Sequence, residues 1–223
     1  MKRLRMCLIV ALALLLVTVS VAGASGNANP GVLPPSSQVQ GRTYGEWSTA
    51  VWRYFFETPV SENPIFGAPW TDCYLERVGN VGLAVPFTTS GSFTCEMPAG
   101  TILYLLVVAS ECSTVEPPTV GGSEEELLAC AQSYVPSDLQ ASIDGVALRN
   151  VSDYVVTSPL FEFTLPDDNL FGLPGGTTAQ SIAYGTFLML VPLSPGQHTL
   201  WVHGAIPSGG FLYDMTYYVT VIN

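Results

Sequence analysis

Glu111 is the acidic residue whose surroundings most suggest chemistry. It closes the apolar run Thr101–Ala109 (TILYLLVVA) and sits next to Cys112. A carboxyl group held against apolar neighbours resists ionisation and can act as an acid near neutral pH. Glycoside hydrolysis needs two such groups at a defined separation. Glu46 is the candidate second carboxyl. It already has another explanation, because Thr43 and Glu46 form a T-x-x-E capping box at a helix start. The plainer reading of Glu111 is that it ties down a strand end by accepting backbone N–H groups.

The other chemistry-bearing residues make weaker patterns. There is no G-x-S-x-G, and the two histidines are His198 and His203. Five apart on one strand, they face opposite sides and cannot share a site without a bulge. A serine–His203–Asp214 arrangement requires the last two strands to pair. Asp167, Asp168 and Asn169 offer hard oxygen ligands that would admit calcium, but their spacing is not that of an EF-hand. Turn formation accounts equally well for such residues. No other cofactor is called for. Trp52, Trp70 and Trp201 are candidate stacking platforms for a glycan; Trp70, in an irregular stretch, is the best placed to be exposed. Trp47 reads as core, and so does Trp201, between Leu200 and Val202.

Elements to position these residues are legible. Tyr184–Leu193, Gln197–His203 and Phe211–Ile222 read as three strands joined by turns, the first of them Ser194-Pro195-Gly196. In the last, Tyr213, Met215, Tyr217, Val219 and Val221 share one face, the period of a half-buried strand. Val81–Phe87, Ser92–Glu96 and Thr101–Ala109 read as further strands, the last central in its sheet. Trp47, Val51, Tyr54 and Phe55 give the Thr43-capped helix one apolar face, and Pro59 ends it. Ser123 and Glu126 cap a second short helix. Asp144-Gly145 marks a type I′ hairpin within Leu139–Leu148. Tyr154–Thr157 and Leu160–Leu165 are strands, and Pro166–Gly176 is a long loop of the kind that often carries function.

Length and composition bound the class. Lys2, Arg3 and Arg5, the apolar Leu8–Val17 and the small residues through Ala24 make residues 1–24 a secretory signal peptide. Residues 25–42, rich in Gly, Pro, Ser and Asn, are expected to be a flexible leader, and 43–223 a single domain. After the signal, four arginines face all 18 acidic residues, a formal charge of −14. That excludes a nucleic-acid partner. No segment of the mature chain is long enough to span a membrane. Cys73, Cys95, Cys112 and Cys130 are even in number and lack C-x-x-C spacing, so disulfides are expected in an exported, periplasmic or extracellular protein. Of three pairings, the sequential one, Cys73–Cys95 and Cys112–Cys130, is expected.

Glu46-Trp47-Ser48, Ala109-Ser110-Glu111-Cys112, Ser158-Pro159-Leu160-Phe161, Leu165-Pro166-Asp167-Asp168-Asn169 and Leu193-Ser194-Pro195-Gly196-Gln197-His198 resemble elements of a group of uncharacterised bacterial secreted proteins. The resemblance covers most of the mature chain. It implies a bacterial exported protein and carries no activity, so no functional residue transfers. The expectation is an all-β fold: an antiparallel β-sandwich, jelly-roll or immunoglobulin-like, with a short N-terminal helix and one further short helix. The expected function is non-catalytic binding or structural work at the cell exterior, with a glycan or protein partner. Two alternatives are a hydrolase of extracellular polymers, marked by a second carboxyl beside Glu111, and self-assembly through an open edge at the Thr- and Tyr-rich last strand.

Overall fold

The structure, a computed structural model, describes residues 29–84 and 90–223. The signal-peptide reading of residues 1–24 lies outside them. Among the described residues no helix is long and apolar enough to cross a membrane.

Helix α1, Tyr44–Glu57, starts where the capping box predicts: Glu46 N donates to Thr43 Oγ1, and Thr43 N donates to the Glu46 carboxylate. Helix α2, Glu124–Ser133, has the same device in Ser123 and Glu126. The strands are β1 (Arg77–Val78), β2 (Val81–Ala84), β3 (Ser90–Pro98), β4 (Ile102–Ser113), β5 (Ser137–Ile143), β6 (Val146–Ala147), β7 (Val155–Thr157), β8 (Phe161–Thr164), β9 (Thr178–Leu190), β10 (Gly196–Ile206) and β11 (Phe211–Ile222). Asp144 and Gly145 both take positive φ at the β5–β6 turn, as a type I′ hairpin requires.

Two sheets form. One has the order β1-β2-β4-β9-β7, with β8 also on β9; the other is β3-β11-β10-β5-β6. The sheets are mixed rather than antiparallel, because β2 pairs with β4, and β3 with β11, in parallel. The cause is a change of sheet. The chain leaves β2, runs down the second sheet as β3, and returns to the first as β4. Alternation within a strand says which face is buried, not which sheet receives the strand. The last strand is not an edge either: β11 is flanked by β10 and β3, which removes the self-assembly argument built on it.

The inward faces share one core. Leu103 and Leu105 of β4 meet Leu200 and Val202 of β10 and Met215, Tyr217 and Val219 of β11. The register of β11 is the one its period-2 pattern predicts. The expected flexible leader is packed along its described part. Val32 and Val39 are buried, Leu33 N donates to Met189 O, and Asn29 donates its amide to Arg149 O. Scattered apolar residues in a Pro-rich stretch carry no period, so only the fold reveals their partners.

Both disulfides have the sequential pairing, Cys73–Cys95 and Cys112–Cys130. The second spans 18 residues and fastens α2 to the end of β4. A loop of that size contributes about 3 kcal/mol in the chain-entropy account.

Candidate functional site

Strand β4 brings Glu111 to its place through an irregularity. Among the described residues β2 pairs with β4 from Ile102 to Leu105; the Val85–Phe87 end of the expected strand lies outside them. On the other side, the pairing with β9 shifts register between Leu106 and Val108. One extra residue in a strand offsets the alternation of faces from there on. Val108 then faces β10, where a Cβ at Gly204 would come within 2.8 Å of its Cγ1. Ala109 and Glu111 turn instead toward α1, and Ser110 and Cys112 toward α2. Ser110 Oγ donates to Ala131 O of that helix at 3.2 Å.

A cavity of about 340 Å³ opens beyond the end of β2. Its floor is Leu106, Ala109, Ser110 and Glu111 of β4. Val51, Trp52 and Phe55 of α1 form one wall, with Ile65 from the turn after that helix. Buried Asn63 sets this turn by donating to Phe55 O and accepting from Ile65 N. Tyr134, the C-cap of α2, and Phe211 and Tyr213 at the start of β11 close the other side. Phe211 is 48% exposed, so an apolar lip stands at the mouth. The indole N–H of Trp52 is buried and has no acceptor among the described residues.

Glu116 is the second carboxyl in this cavity. The loop after β4 folds back on itself: Thr119 Oγ1 donates to Ser113 O at 2.8 Å, and Thr119 N to Glu116 O at 3.0 Å. That returns Glu116 to the wall Glu111 occupies. Ser181 of β9 donates its hydroxyl to Glu111 Oε1 at 2.8 Å. Burial pushes the Glu111 carboxyl up to about 8, and the charge of Glu116 pushes the same way. The Ser181 hydroxyl opposes the rise. Glu116 is raised by burial too. Among the described residues no arginine, lysine or histidine lines the cavity.

Other sequence candidates lie elsewhere. Glu46 does not line the cavity; its carboxylate caps α1 from an exposed position, and hydrogen bonds from Thr43 hold it below the usual carboxylate range. The pairing of Glu111 with Glu46 is thus replaced by Glu111 with Glu116. Neither Trp70 nor Asp167–Asn169 lines it. Trp70 is half-buried, edge-on to Phe93 at 6.4 Å. Asn169 spends its amide on Pro166 O and Leu173 O, and Asp168 accepts from Ser61 N. These are turn and loop contacts, and no cluster of three or more metal-ligating side chains forms among the described residues. Trp201, also considered core, lies half-buried on the outer face and donates its N–H to Asp214 at 2.8 Å.

Both histidines pair with aspartates. His203 lies opposite Asp214, Nδ1 to Oδ2 3.5 Å, and β3 register puts Ser90 on the far side of Asp214. The carboxylate therefore sits between imidazole and serine, which leaves the histidine out of place to activate that hydroxyl. His198 looks closer to a triad: Nδ1 meets Asp144 Oδ2 at 2.8 Å, and Ser194 Oγ is 3.3 Å from Nε2. Nε2 also lies 2.9 Å from Ser194 O, a group that only accepts. When the ring is protonated both nitrogens donate, and the imidazolium joins two turns; Nε2 is then taken up by Ser194 O rather than held ready as a base. The Asp144 hydrogen bond raises the His198 pKa. Its stabilising effect is full below the ordinary value of about 6.5 and fades as pH rises through the higher folded value. An NMR titration should place the His198 midpoint above that ordinary value; a midpoint at or below it refutes the imidazolium bridge.

No family model matches the chain, and no curated protein matches it. One solved structure, the cysteine protease inhibitor EhICP2 from Entamoeba histolytica, is similar at 12% identity over 64% of this chain and 96% of that one. Its TM-score is 0.21, too loose a likeness to transfer a fold or an activity.

The sequence pointed to Glu111 through its place at the end of an apolar run. Glu116, Tyr134 and Tyr213 gave no such signal. They come from a turn, a helix cap and the far end of the chain, and only tertiary folding gathers them.

Proposed function

We propose that this is a secreted, non-catalytic binding protein, that its two sheets are the layers of a β-sandwich, and that its ligand site is the cavity over Glu111 and Glu116. The observation that carries the reading is an apolar, aromatic-walled cavity with polar groups gathered on one wall. Binding sites for small molecules have this make-up: apolar walls supply affinity, and a few polar groups fix orientation. The unmet N–H of Trp52 supports it, since a buried donor without an acceptor is costly unless a ligand or water meets it.

A second reading, hydrolysis of an extracellular polymer, is favoured by one observation, the second carboxyl in the same cavity. Acid–base hydrolysis needs one carboxyl protonated and the other ionised, on opposite sides of the bond cleaved. Here both come from β4 and its following loop, both are raised, and among the described residues no basic side chain in the wall keeps one ionised. The arrangement suits holding a ligand better than cleaving one.

The test is a screen of the purified protein against glycan, ester and peptide substrates, alongside a small-molecule thermal-shift screen. The binding reading expects stabilising ligands whose effect is lost in Phe55→Ala or Tyr213→Ala, and no turnover. Turnover abolished by Glu111→Gln in a variant that remains folded overturns it in favour of the hydrolase.

A further inference from the structure

We infer that the cavity takes an organic cation, an ammonium group on an apolar body, with the charged head against Glu111 and Glu116. The inference rests on the reading of this cavity as the binding site and adds the ligand's chemical class.

The first argument is what the wall lacks. Two carboxyls share a confined space with no positive partner among the described residues. The groups facing them are hydroxyls from Ser181 and Ser113, the phenols Tyr134 and Tyr213, and the rings of Trp52 and Phe55. Buried charges are ordinarily paired, and removing one partner leaves a strongly unfavourable site. Without a ligand Glu111 avoids that penalty by keeping its proton, and burial shifts Glu116 in the same direction. A ligand cation is the missing partner, and it takes the place of the proton.

The second argument is what the wall has. Five aromatic side chains, Trp52, Phe55, Tyr134, Phe211 and Tyr213, line the cavity together with the carboxyls. Their faces are negative and attract alkylammonium groups, more strongly where water is excluded. Anionic ligands are disfavoured twice over, by the ring faces and by the carboxyls. A neutral apolar ligand would fill the volume but leave Glu111 and Glu116 unmatched. The cavity size also fits: about 340 Å³ is at the lower end for small-ligand sites and holds a ring bearing a short ammonium arm. The net charge of −11 on the whole chain draws cations toward it.

The experiment compares benzyltrimethylammonium with its uncharged carbon isostere, neopentylbenzene, by titration calorimetry at about pH 6 and about pH 9. A quaternary ammonium does not titrate, so any pH dependence belongs to the protein. The expected result is binding of the cation at least about tenfold tighter than the isostere at the higher pH. Its affinity should rise with pH by up to about tenfold per unit while Glu111 gives up its proton. In buffers of different ionisation enthalpy, proton release on binding should be measurable at the lower pH and vanish at the higher. Glu116→Gln should erase most of the preference for the cation, and Glu111→Gln gives the same reading should that variant fold poorly. Equal affinity for the two probes, both sensitive to Phe55→Ala, overturns the cation assignment and leaves the cavity as the site. No binding by either probe at either pH overturns the assignment and the site together.

Discussion

Trp47→Ala should lower the melting temperature by roughly 10 °C, the effect of losing about 3–5 kcal/mol from a chain of this size. Trp47 is fully buried, and it does three things at once. Its ring lies in the core between α1 and the six-stranded sheet, beside Tyr44 and Val51 of the same helix. Its indole N–H donates to Val39 O at 3.1 Å, which holds the segment before the helix. The Arg42 guanidinium sits 4.9 Å from its ring centre. Truncation leaves a cavity and a loosened arginine, and it removes one of the two donors on Val39 O, which keeps Arg42 N. The comparison variant is Trp70→Ala, where a half-buried ring in an irregular segment is removed and a smaller loss is expected. Thermal melts of the two variants against the parent decide the matter; a Trp47→Ala melt equal to the parent would mean that α1 is not docked as described.

That prediction stands on features readable in the sequence. The capping boxes, the apolar stripe of α1, the Asp144-Gly145 turn and the alternation in β11 are local, and each fixes a local structure by spacing alone. The cysteine pairs are close in sequence, and the folded strands keep them close in space. Non-local features were not readable in this way. The switch of β3 into the second sheet makes two strand pairs parallel, and no period reports it. The offset in β4 near Val107 reverses the faces of everything that follows. Within an apolar run such as LYLLVVA every residue is equally apolar, so the sequence cannot say which one bulges. Glu111 was legible as an acid at the end of that run, but its face was not, and neither was its partner. Glu46, the second carboxyl the sequence offers, is held by its capping bonds at the exposed start of α1, whereas Trp52 and Phe55, further along, reach the cavity.

Glu111→Gln should make the protein more stable at alkaline pH, by on the order of 3–5 kcal/mol, and change little below about pH 5. In the unfolded chain Glu111 titrates at its ordinary value of 4.5; in the folded protein burial moves it to about 8. The folded state therefore binds the proton more tightly. Its stabilising effect is full below 4.5 and is lost as pH rises toward 8, at about 1.4 kcal/mol per pH unit. Above that range the protein must hold a buried carboxylate with Glu116 close by. A glutamine keeps the size and can still accept the Ser181 hydroxyl, but has no proton to lose. The difference between variant and parent is the quantity to measure, since other carboxylates contribute a common background. Urea unfolding at pH values spaced from about 4 to about 9 gives it directly. A difference that grows with pH supports a carboxyl kept neutral by its cavity. A difference that stays flat, or a parent more stable than Glu111→Gln at high pH, would mean that the ionised Glu111 is welcomed by the fold. The cavity would then already satisfy its charge, and the argument for a ligand cation would lose its physical basis.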